Sequence, residues 1–472
     1  MKIELNNNIL KQIGEIADSN NYTVFVVGGY VRDILLKKEC KDIDILVVGK
    51  GTEFARLVAK YFKKDITVYE RFGTALLVLD DSKIEFVGSR KESYRSNSRN
   101  PIVSPGTLDD DLSRRDFTIN ALAISINKST YGNLIDKFDG LSDLSNRIIR
   151  TPLEPEKTFS DDPLRMIRAI RFASTLDFEI FPATLEGISE SSDRIKIITQ
   201  ERITDELMKI LRSKNPSKGF QLLYETNLLK NIFPELHELG ITNYYNDPET
   251  GKQYHHKNIF YHSLKVLENI ANKSDNVWLR FAGLLHDIGK PKSRHFDKSN
   301  GWTFYGHDEL GARMIEPIFK KMRLPLDKVE YVRKLVRLHL RPIALVDETV
   351  TDSAIRRLIF EAGNDIDDLM LLCEADITSQ NLLKVEKYRN NYEYVKRRII
   401  EVEEKDKIRN FQPPIKGDEI MQLYNLKPGP MVGKLKNALT DAILDGIIPN
   451  KREEALAFLD NEFKKLTINN KN

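Results

Sequence analysis

The sequence predicts an α+β domain at the amino-terminal end, followed by three mostly α-helical regions. Up to about residue 146, short apolar strands alternate with helical stretches. Beyond that point the strand signals stop, and apolar residues recur at helical spacing. A chain of 472 residues also exceeds what a single hydrophobic core usually supports. We therefore expect a head at 1–146, a helical neck at 147–243, a histidine-bearing helical region at 244–380 and a helical tail at 381–472.

The head owes its α+β assignment to four apolar runs of strand length and two stretches with helical periodicity. The predicted strands are 22–27, 43–48, 75–79 and 83–87, of which the last two form a hairpin, and the predicted helices are 53–62 and 118–123. After the head, helices are predicted at 162–176, 202–211 and 217–229, with a polar break at 244–251 and a last helical piece at 381–463. The polar end from residue 467 is expected to fray.

Composition bounds the class of protein. Hydrophobic residues at 41% and charged residues at 30% are ordinary for a soluble globular chain, and the net charge of +3 creates no global basic field. Cys40 and Cys373 are the two cysteines, which argues against a disulfide framework or a cysteine zinc site. The amino terminus has no apolar signal core, and no apolar run is long enough to span a membrane. We expect a cytoplasmic protein without a membrane partner.

A glycine turn followed by two carboxylates is the most informative feature of the head. Gly28 and Gly29 allow the backbone to approach a phosphate, and Arg32 supplies a neutralising charge. Asp42 and Asp44 are two apart on one strand, so they point the same way and can hold a divalent metal together. Asp-x-Asp alone is frequent in surface loops, but the preceding glycine turn and arginine favour metal-assisted nucleotide transfer.

Three further residues extend this first constellation. Glu85 alternates with apolar neighbours on the next predicted strand and adds a third carboxylate, unless it belongs to a solvated strand face. Carboxylates combined with a nucleoside triphosphate provide the oxygen ligands that Mg²⁺ prefers. Arg115, paired with Arg114, can bind triphosphate, and Asp116 can accept from a ribose hydroxyl. The alternative is a helix cap with a solvated basic pair.

A ridge of arginines marks the predicted helix at 162–176. Arg165, Arg168 and Arg171 are three apart and lie on one slanting row, with Asp162 one turn before the first. An aspartate accepts from an exocyclic amine and an arginine donates to a ring or carbonyl acceptor. One such pair therefore accepts cytosine and adenine and rejects guanine and uracil. The alternative is a solvated, ion-paired helix face.

In this order, the three motifs closely resemble the class II tRNA nucleotidyltransferase and bacterial poly(A) polymerase family. Two further segments add to the resemblance, namely 139–144 with Arg150, and 201–207. The resemblance implies a nucleotidyltransferase head, then neck, body and tail. It makes Asp42 and Asp44 the metal ligands, Gly29, Arg32 and Arg115 the triphosphate contacts, and Asp162 and Arg165 the base-reading pair, with Arg168 and Arg171 near the nucleotide.

Histidines form a second constellation in the region 244–380. Six of the eight histidines lie between Tyr254 and Arg313, a density that favours metal binding because imidazole is the commonest transition-metal ligand. The pattern resembles the HD phosphohydrolase superfamily, which implies an HD domain here. That resemblance makes ligands of His262, His286, Asp287 and Asp376, adds His307 and His339 from two-metal members, and turns Lys290 toward phosphate. A divalent transition metal is expected; hydrolysis stays open, because such domains can persist after losing catalysis.

The combined resemblance implies template-independent addition of C, C and A to the 3′ end of tRNA, with ATP and CTP as substrates and tRNA as partner. Three alternatives stay open: a poly(A) polymerase, a partial CC- or A-adding enzyme, and an HD phosphohydrolase with an RNA-binding head. The segment 69–74 lies where the family has a flexible loop needed for switching to A, which favours full CCA addition. The oligomeric state is not predicted.

Overall fold

The structure is a computed structural model that describes residues 1–70, 73–79, 82–93, 102–241, 244–246, 253–255, 258–345, 351–378, 382–406, 409 and 411–469. The chain divides into two compact units, Met1–His237 and Glu238–Asn472. The first unit contains a mixed β-sheet and helices, and the second is mostly helical.

Strands of the first unit build one mixed sheet and smaller pairs. They are β1 (Val24–Val27), β2 (Asp42–Val47), β3 (Ile66–Tyr69), β4 (Thr74–Leu79), β5 (Ser82–Gly88), β6 (Arg90–Ser93), β7 (Ile102–Pro105), β8 (Leu122–Ser125), β9 (Leu134–Asp136), β10 (Ile148–Ile149) and β11 (Glu179–Ile180). Among the described residues the large sheet has the order β3-β4-β5-β2-β1-β8-β9. The predicted β4–β5 hairpin is confirmed, because the two strands pair antiparallel.

Helices of the first unit cover the sheet and continue beyond it. They are α1 (Asn8–Ser19), α2 (Gly29–Leu35), α3 (Gly51–Phe62), α4 (Leu108–Ser113), α5 (Gly140–Asn146), α6 (Pro155–Asp161), α7 (Leu164–Leu176), α8 (Pro182–Ser191), α9 (Gln200–Leu211), α10 (Pro216–Glu225), α11 (Leu228–Ile232) and α12 (Pro234–His237). Phe54 on α3 and Phe86 on β5 are fully buried in the core between them, with ring centroids 5.9 Å apart. This core buries one face of β2. On the other face Asp42 and Asp44 precede Leu46, which is buried in a second, smaller apolar cluster.

The predicted helix at 118–123 is wrong. Thr118–Asn120 forms a 3₁₀ turn, and β8 follows it and pairs antiparallel with β1, placing Ile124 opposite Val26. All four residues of β8 are buried. A short apolar run buried on both faces carries no period that separates strand from helix, so pairing with β1 decided the outcome.

Other helix predictions need smaller corrections. The predicted helix at 162–176 starts two residues later, because Asp162 is extended (φ −141°) and Pro163 precedes the first turn of α7. The stretch 217–229 is divided between α10 and α11 by Asn227, which has a φ of +59°. Strands also continue beyond residue 147, although each is only two or three residues long.

The second unit contains the histidine-bearing helices and the tail. Its helices are α13 (Ile259–Ala271), α14 (Val277–Leu285), α15 (Lys290–Ser293), α16 (His307–Lys321), α17 (Val329–Leu338), α18 (Arg341–Ala344), α19 (Asp352–Ala362), α20 (Ile366–Asp376), α21 (Leu382–Asp406), α22 (Gly417–Leu423), α23 (Pro430–Leu444) and α24 (Arg452–Asn469). In the part of this unit that the structure describes, the strands form two antiparallel pairs, β12 (Tyr244–Asn246) with β13 (Gln253–His255) and β14 (His295–Asp297) with β15 (Gly301–Thr303).

The end predicted to fray begins at residue 467, but α24 continues to Asn469, so residues 467–469 are helical. Within the described ranges, no helix combines the length and the apolar character needed to cross a membrane.

Candidate functional site

Three carboxylates meet on one face of the head sheet. β2 begins at Asp42, so Asp42 and Asp44 lie on the same face while Ile43 and Ile45 point into the core. β5 runs parallel to β2 and places Glu85 opposite Asp44. Asp42 and Glu85 are exposed and Asp44 is half-buried, which leaves their oxygens able to reach a bound ion. Hard carboxylate oxygens on an open face suit Mg²⁺, which shares its ligands with phosphate.

The carboxyl of Asp44 has a perturbed pKa. Burial raises the pKa of its carboxyl to about 6; Arg115 opposes the shift, whereas Glu85 and Asp42 add to it. Such repulsion between carboxylates is relieved by a divalent cation. The donor set therefore fits the expected metal.

Gly28 brings the glycine turn against the carboxylates and Arg115. Its φ is +73° and its ψ −134°, a conformation suited to glycine. A Cβ built there lies 2.7 Å from Arg115 Nη1 and 3.4 Å from Asp44 Oδ2. Gly29 then starts α2, and its Cβ position lies 3.6 Å from Arg32 Nη2. The turn thus packs between the residues predicted to contact metal and triphosphate.

Asp111, which the sequence analysis missed, orients the paired arginines. It is fully buried and lies three and four residues before Arg114 and Arg115. Arg115 donates to its Oδ2 through Nε at 3.2 Å and Nη2 at 3.1 Å, and Arg114 donates to its Oδ1. The i, i+3 and i, i+4 spacing was a usable signal.

Asp116 is held inside the protein rather than left open. Its Oδ2 accepts from Arg168 Nε at 2.9 Å and Nη2 at 2.5 Å, and its Oδ1 accepts from Asn120 Nδ2 at 3.0 Å and from the Phe117 backbone N–H at 2.9 Å. Burial opposes ionisation, yet Arg168 and Asn120 lower the pKa of Asp116 to about 2. The predicted ribose contact would have to share these oxygens.

Three of the predicted arginines converge on the ring of Phe172 in α7. The guanidinium carbons of Arg32, Arg168 and Arg171 lie 5.0, 5.5 and 3.9 Å from its centroid. Arg171 Nε is 2.6 Å from Glu206 Oε2 on α9, a second residue that the sequence analysis did not assign to the site. Cation–π contacts and a separate carboxylate partner for each arginine allow three like charges to share one region.

The predicted base-reading pair lies at the start of α7. Arg165 is buried and donates to the backbone carbonyls of Arg114, at 2.5 Å, and Thr158, at 3.4 Å. Asp162 accepts from the Leu164 backbone N–H at 3.2 Å and from Arg202 Nη2 at 3.1 Å. Asp162 and Arg165 therefore have separate partners. Arg202, in the 201–207 segment, is a further residue of this site to which the sequence analysis gave no role.

The segment 69–74, expected to be a flexible loop, joins two paired strands. Tyr69 closes β3 and Thr74 opens β4, and these two residues face each other in the antiparallel register. Residues 71 and 72 lie outside the described residues.

In the second unit, the six predicted metal ligands meet around Asp287. They lie at the ends or starts of different helices: His262 on α13, His286 and Asp287 after α14, His307 at the start of α16, His339 after α17 and Asp376 at the end of α20. From Asp287, Oδ2 lies 3.3 Å from His286 Nε2 and 3.6 Å from His262 Nε2, while Oδ1 lies 3.3 Å from His307 Nε2 and 3.8 Å from His339 Nε2. Asp376 Oδ1 is 2.9 Å from His262 Nε2.

The outer ring nitrogens of these histidines are all fixed. Nδ1 of His286, His307 and His339 lies 2.7 to 2.8 Å from a backbone carbonyl, and Nδ1 of His262 is 2.9 Å from Thr378 Oγ1. A carbonyl partner at Nδ1 leaves Nε2 as a ligand atom, which is the usual arrangement around a protein-bound metal.

Several buried ligand atoms at this centre have no hydrogen-bond partner. They are Asp287 Oδ1, His307 Nε2 and His339 Nε2. Two overlapping triplets, His262–His286–Asp376 and His286–Asp287–His339, also keep their ligand atoms within 4.8 Å of one another. Buried polar atoms without partners are costly, so this donor set fits one or two metal ions.

Charge at this centre is unevenly distributed. Burial opposes a charged imidazole, but Asp287 and Asp376 raise the pKa of His286 to about 9. Burial lowers the pKa of His339 to about 4, and the His286 charge acts in the same direction. Lys290 Nζ lies 2.6 Å from Asp287 Oδ2, so the lysine predicted to face phosphate is ion-paired with a predicted ligand. The carboxylates thus favour positive charge, from protons or from metal.

Three protein-family models match successive parts of the chain. The description "Poly A polymerase head domain" matches residues 24–150, "Probable RNA and SrmB- binding site of polymerase A" matches 177–239, and "HD domain" matches 259–379. The nucleotidyltransferase and HD domain types imply the use of divalent metal.

The chain is also similar to curated tRNA nucleotidyltransferases and to the solved structure of a CCA-adding enzyme. An A-adding tRNA nucleotidyltransferase of Deinococcus radiodurans is 32% identical, over 75% of this chain and 79% of its own. A CCA-adding enzyme of Enterococcus faecalis is 27% identical, over 95% of this chain and 94% of its own. The apo form II structure of a CCA-adding enzyme shares the fold, with a TM-score of 0.64, 24% identity, and coverage of 96% of this chain and 95% of that one.

The chain thus combines these family matches with three structural features. They are a carboxylate face beside a glycine turn, an arginine-bearing helix after the head, and a histidine–aspartate centre. The chain belongs to the class II tRNA nucleotidyltransferase and poly(A) polymerase family, and it carries an HD domain.

Proposed function

We propose that this protein completes tRNA by adding C, C and A to its 3′ end from CTP and ATP without a nucleic-acid template. The observation that carries the proposal is the alignment of Asp42, Asp44 and Glu85 on one sheet face, with Arg115 packed against the Gly28 turn. Relatives named CCA-adding enzyme and A-adding tRNA nucleotidyltransferase support nucleotide addition to tRNA.

The residues of the head divide the work. Asp42, Asp44 and Glu85 would hold Mg²⁺, which when bound stabilises negative charge on a phosphate oxygen. Arg115, oriented by Asp111, and Arg32 neutralise the triphosphate of the incoming nucleotide. Holding the triphosphate still beside the carboxylates places its α-phosphate for attack by the terminal 3′ hydroxyl of the RNA. A phosphodiester bond forms, the bond between the α- and β-phosphates breaks, and pyrophosphate leaves.

Base choice is assigned to Asp162, just before α7, and to Arg165 in the first turn of α7. Asp162 accepts from the exocyclic amine of cytosine or adenine, and Arg165 donates to the adjacent ring acceptor. Arg202 holds Asp162 through a 3.1 Å hydrogen bond, and the Arg114 carbonyl holds Arg165. For these side chains to read a base, each must keep a lone pair or an N–H beyond these contacts, which a carboxylate and a guanidinium both have.

The experiment uses purified protein with tRNA transcripts ending before C74, after C74 and after C75, each with CTP, ATP, GTP or UTP, followed by sequencing of the products. CCA completion requires C on the first two substrates and A on the third. Addition of A alone, or of C alone, assigns a partial enzyme, and long A tails assign a poly(A) polymerase. Absence of any incorporation contradicts the proposal.

A second candidate activity belongs to the HD domain. Asp287 Oδ1, His307 Nε2 and His339 Nε2 are buried and make no hydrogen bond, and imidazole and carboxylate ligands together favour a divalent transition metal. Lys290, which is ion-paired with Asp287, supplies a positive charge for a phosphate. We propose phosphatase or phosphodiesterase activity on phosphorylated nucleotides. His286→Ala plus Asp287→Ala should lower bound transition metal and remove this activity, whereas CTP and ATP addition stays near wild type. Equal metal content in the two proteins would make the histidines structural.

The domain boundaries 1–146, 147–243, 244–380 and 381–472 and the cytoplasmic location are part of this proposal. Limited proteolysis with mass spectrometry tests the boundaries, since cleavage should concentrate near them. Cell fractionation tests the location.

A further inference from the structure

Asn120 joins two parts of the nucleotide site, although neither the motifs nor the family comparison assigns it a role. It ends the 3₁₀ turn Thr118–Asn120, and it is 6% exposed. Its Oδ1 accepts from Arg32 Nη1 at 2.9 Å, and its Nδ2 donates to Asp116 Oδ1 at 3.0 Å. Arg32 and Asp116 are also buried, so water cannot easily replace either hydrogen bond.

These hydrogen bonds belong to a longer polar chain. Asp116 accepts from Arg168 at its other oxygen, so Arg32, Asn120, Asp116 and Arg168 form one continuous series from α2 to α7. α2 follows the glycine turn, and α7 carries Arg165. The series therefore connects α2, which carries the proposed triphosphate contact Arg32, with α7, which carries the proposed base-reading residue Arg165.

The carboxamide suits this position chemically. Arg32 presents only donors and an ionised Asp116 only acceptors, so a group between them must accept on one side and donate on the other. Without the amide, Arg32 keeps its Nε and Nη2 hydrogen bonds to Asp33, at 2.9 and 3.0 Å. Both lie on one side of the guanidinium, so Nη1 would lose the contact that sets its direction.

We propose that Asn120 is a positioning residue that aligns Arg32 with the α7 helix for nucleoside triphosphate binding. This rests on the proposed nucleotidyl-transfer function. It predicts a defect in nucleotide affinity rather than in the chemical step, because Asn120 acts through Arg32 and Asp116 and touches no reacting atom.

The test compares Asn120→Ala with Asn127→Ala. Asn127 is a buried asparagine of the same head that also uses both ends of its amide: Oδ1 accepts from the Val24 backbone N–H, and Nδ2 donates to Asp18 and to the Tyr22 carbonyl, each at 2.8 Å. Both variants should lose stability. Only Asn120→Ala should raise the KM for CTP and ATP, by about tenfold, while kcat changes little.

Asn120→Asp separates the two hydrogen bonds. The introduced carboxylate keeps an acceptor for Arg32 but replaces the donor to Asp116 with repulsion. If the Arg32 contact carries the effect, nucleotide KM stays closer to wild type than in Asn120→Ala; if the connection to α7 also matters, both variants are equally impaired. Either result supports a positioning role, and they differ in which hydrogen bond carries it.

Titration calorimetry with ATP and CTP accompanies the kinetics, so that nucleotide affinity is measured even if the wild type transfers nothing. Wild-type transfer failing while Asn120→Ala binds ATP about tenfold more weakly would contradict the proposed function but not this inference. Equal affinities and KM values in wild type, Asn120→Ala and Asn127→Ala would overturn it. Should Asn120→Ala not fold by circular dichroism, Asn120→Ser takes its place.

Discussion

Gly28→Ala should impair nucleotide incorporation far more than it impairs folding. The backbone at Gly28 has a φ of +73° and a ψ of −134°, and an alanine there strains the fold by roughly 1–3 kcal/mol. The added methyl also lies 2.7 Å from Arg115 Nη1, so the guanidinium must move away from the turn. The second effect is local, because the end of a flexible side chain yields more easily than backbone.

The size of the activity loss follows from what Arg115 does in the proposed mechanism. A hydrogen bond to a charged group contributes roughly 1.5–3 kcal/mol. Losing one such contact to the triphosphate lowers kcat/KM by roughly ten- to a hundredfold, since each 1.36 kcal/mol is a factor of ten. The assay measures labelled CMP or AMP incorporation into tRNA lacking its 3′ end, and urea unfolding measures the stability loss.

Gly49→Ala is the matched control. Gly49 lies in the same head and has a φ of +110°, but a Cβ there meets nothing within 4 Å. Both variants should lose similar stability, and only Gly28→Ala should lose activity beyond the fraction of unfolded protein. Equal activity losses in the two variants would refute the steric argument, because backbone strain alone would then account for both.

Three further predictions concern charged residues of the proposed nucleotide site. Asp44→Asn should abolish nucleotide incorporation. In metal-free wild type, protonation of Asp44 stabilises the fold at low pH, and this stabilisation is lost as the pH rises through about 6. The melting temperature of the wild type should therefore fall between pH 4 and pH 7, and the Asp44→Asn variant should not show this fall. Asp116→Asn should lower stability by about 3 kcal/mol at neutral pH, because Arg168 is left without its carboxylate; the wild-type advantage should vanish as pH falls from about 4 towards 2, the pKa of Asp116. Arg165→Ala should relax discrimination against GTP and UTP by roughly one to two orders of magnitude in mixed-nucleotide competition, and unchanged selectivity would exclude it from base reading.

Local sequence patterns were sufficient for much of the site. The alternation around Asp42 and Asp44 predicted that both carboxylates share a face, and β2 begins at Asp42 as this requires. The density of histidines predicted metal binding, and the residues that the HD resemblance named as ligands lie together around Asp287. These signals are local because strand and helix periodicities depend on neighbouring residues alone.

Tertiary structure decided what depends on distant residues. The sequence at 118–123 reads as well for a helix as for a strand, and only pairing with β1 made Leu122–Ser125 a strand. Asn120, just before this strand, accepts a hydrogen bond from Arg32, 88 residues away, and Asp116 accepts one from Arg168, 52 residues away. The sequence by itself determined which chemical groups this protein has and which of them share a face. Packing between helices and strands far apart in the chain decided which groups became partners. A buried charge needs an opposite charge beside it, and the fold determines which opposite charge lies close enough.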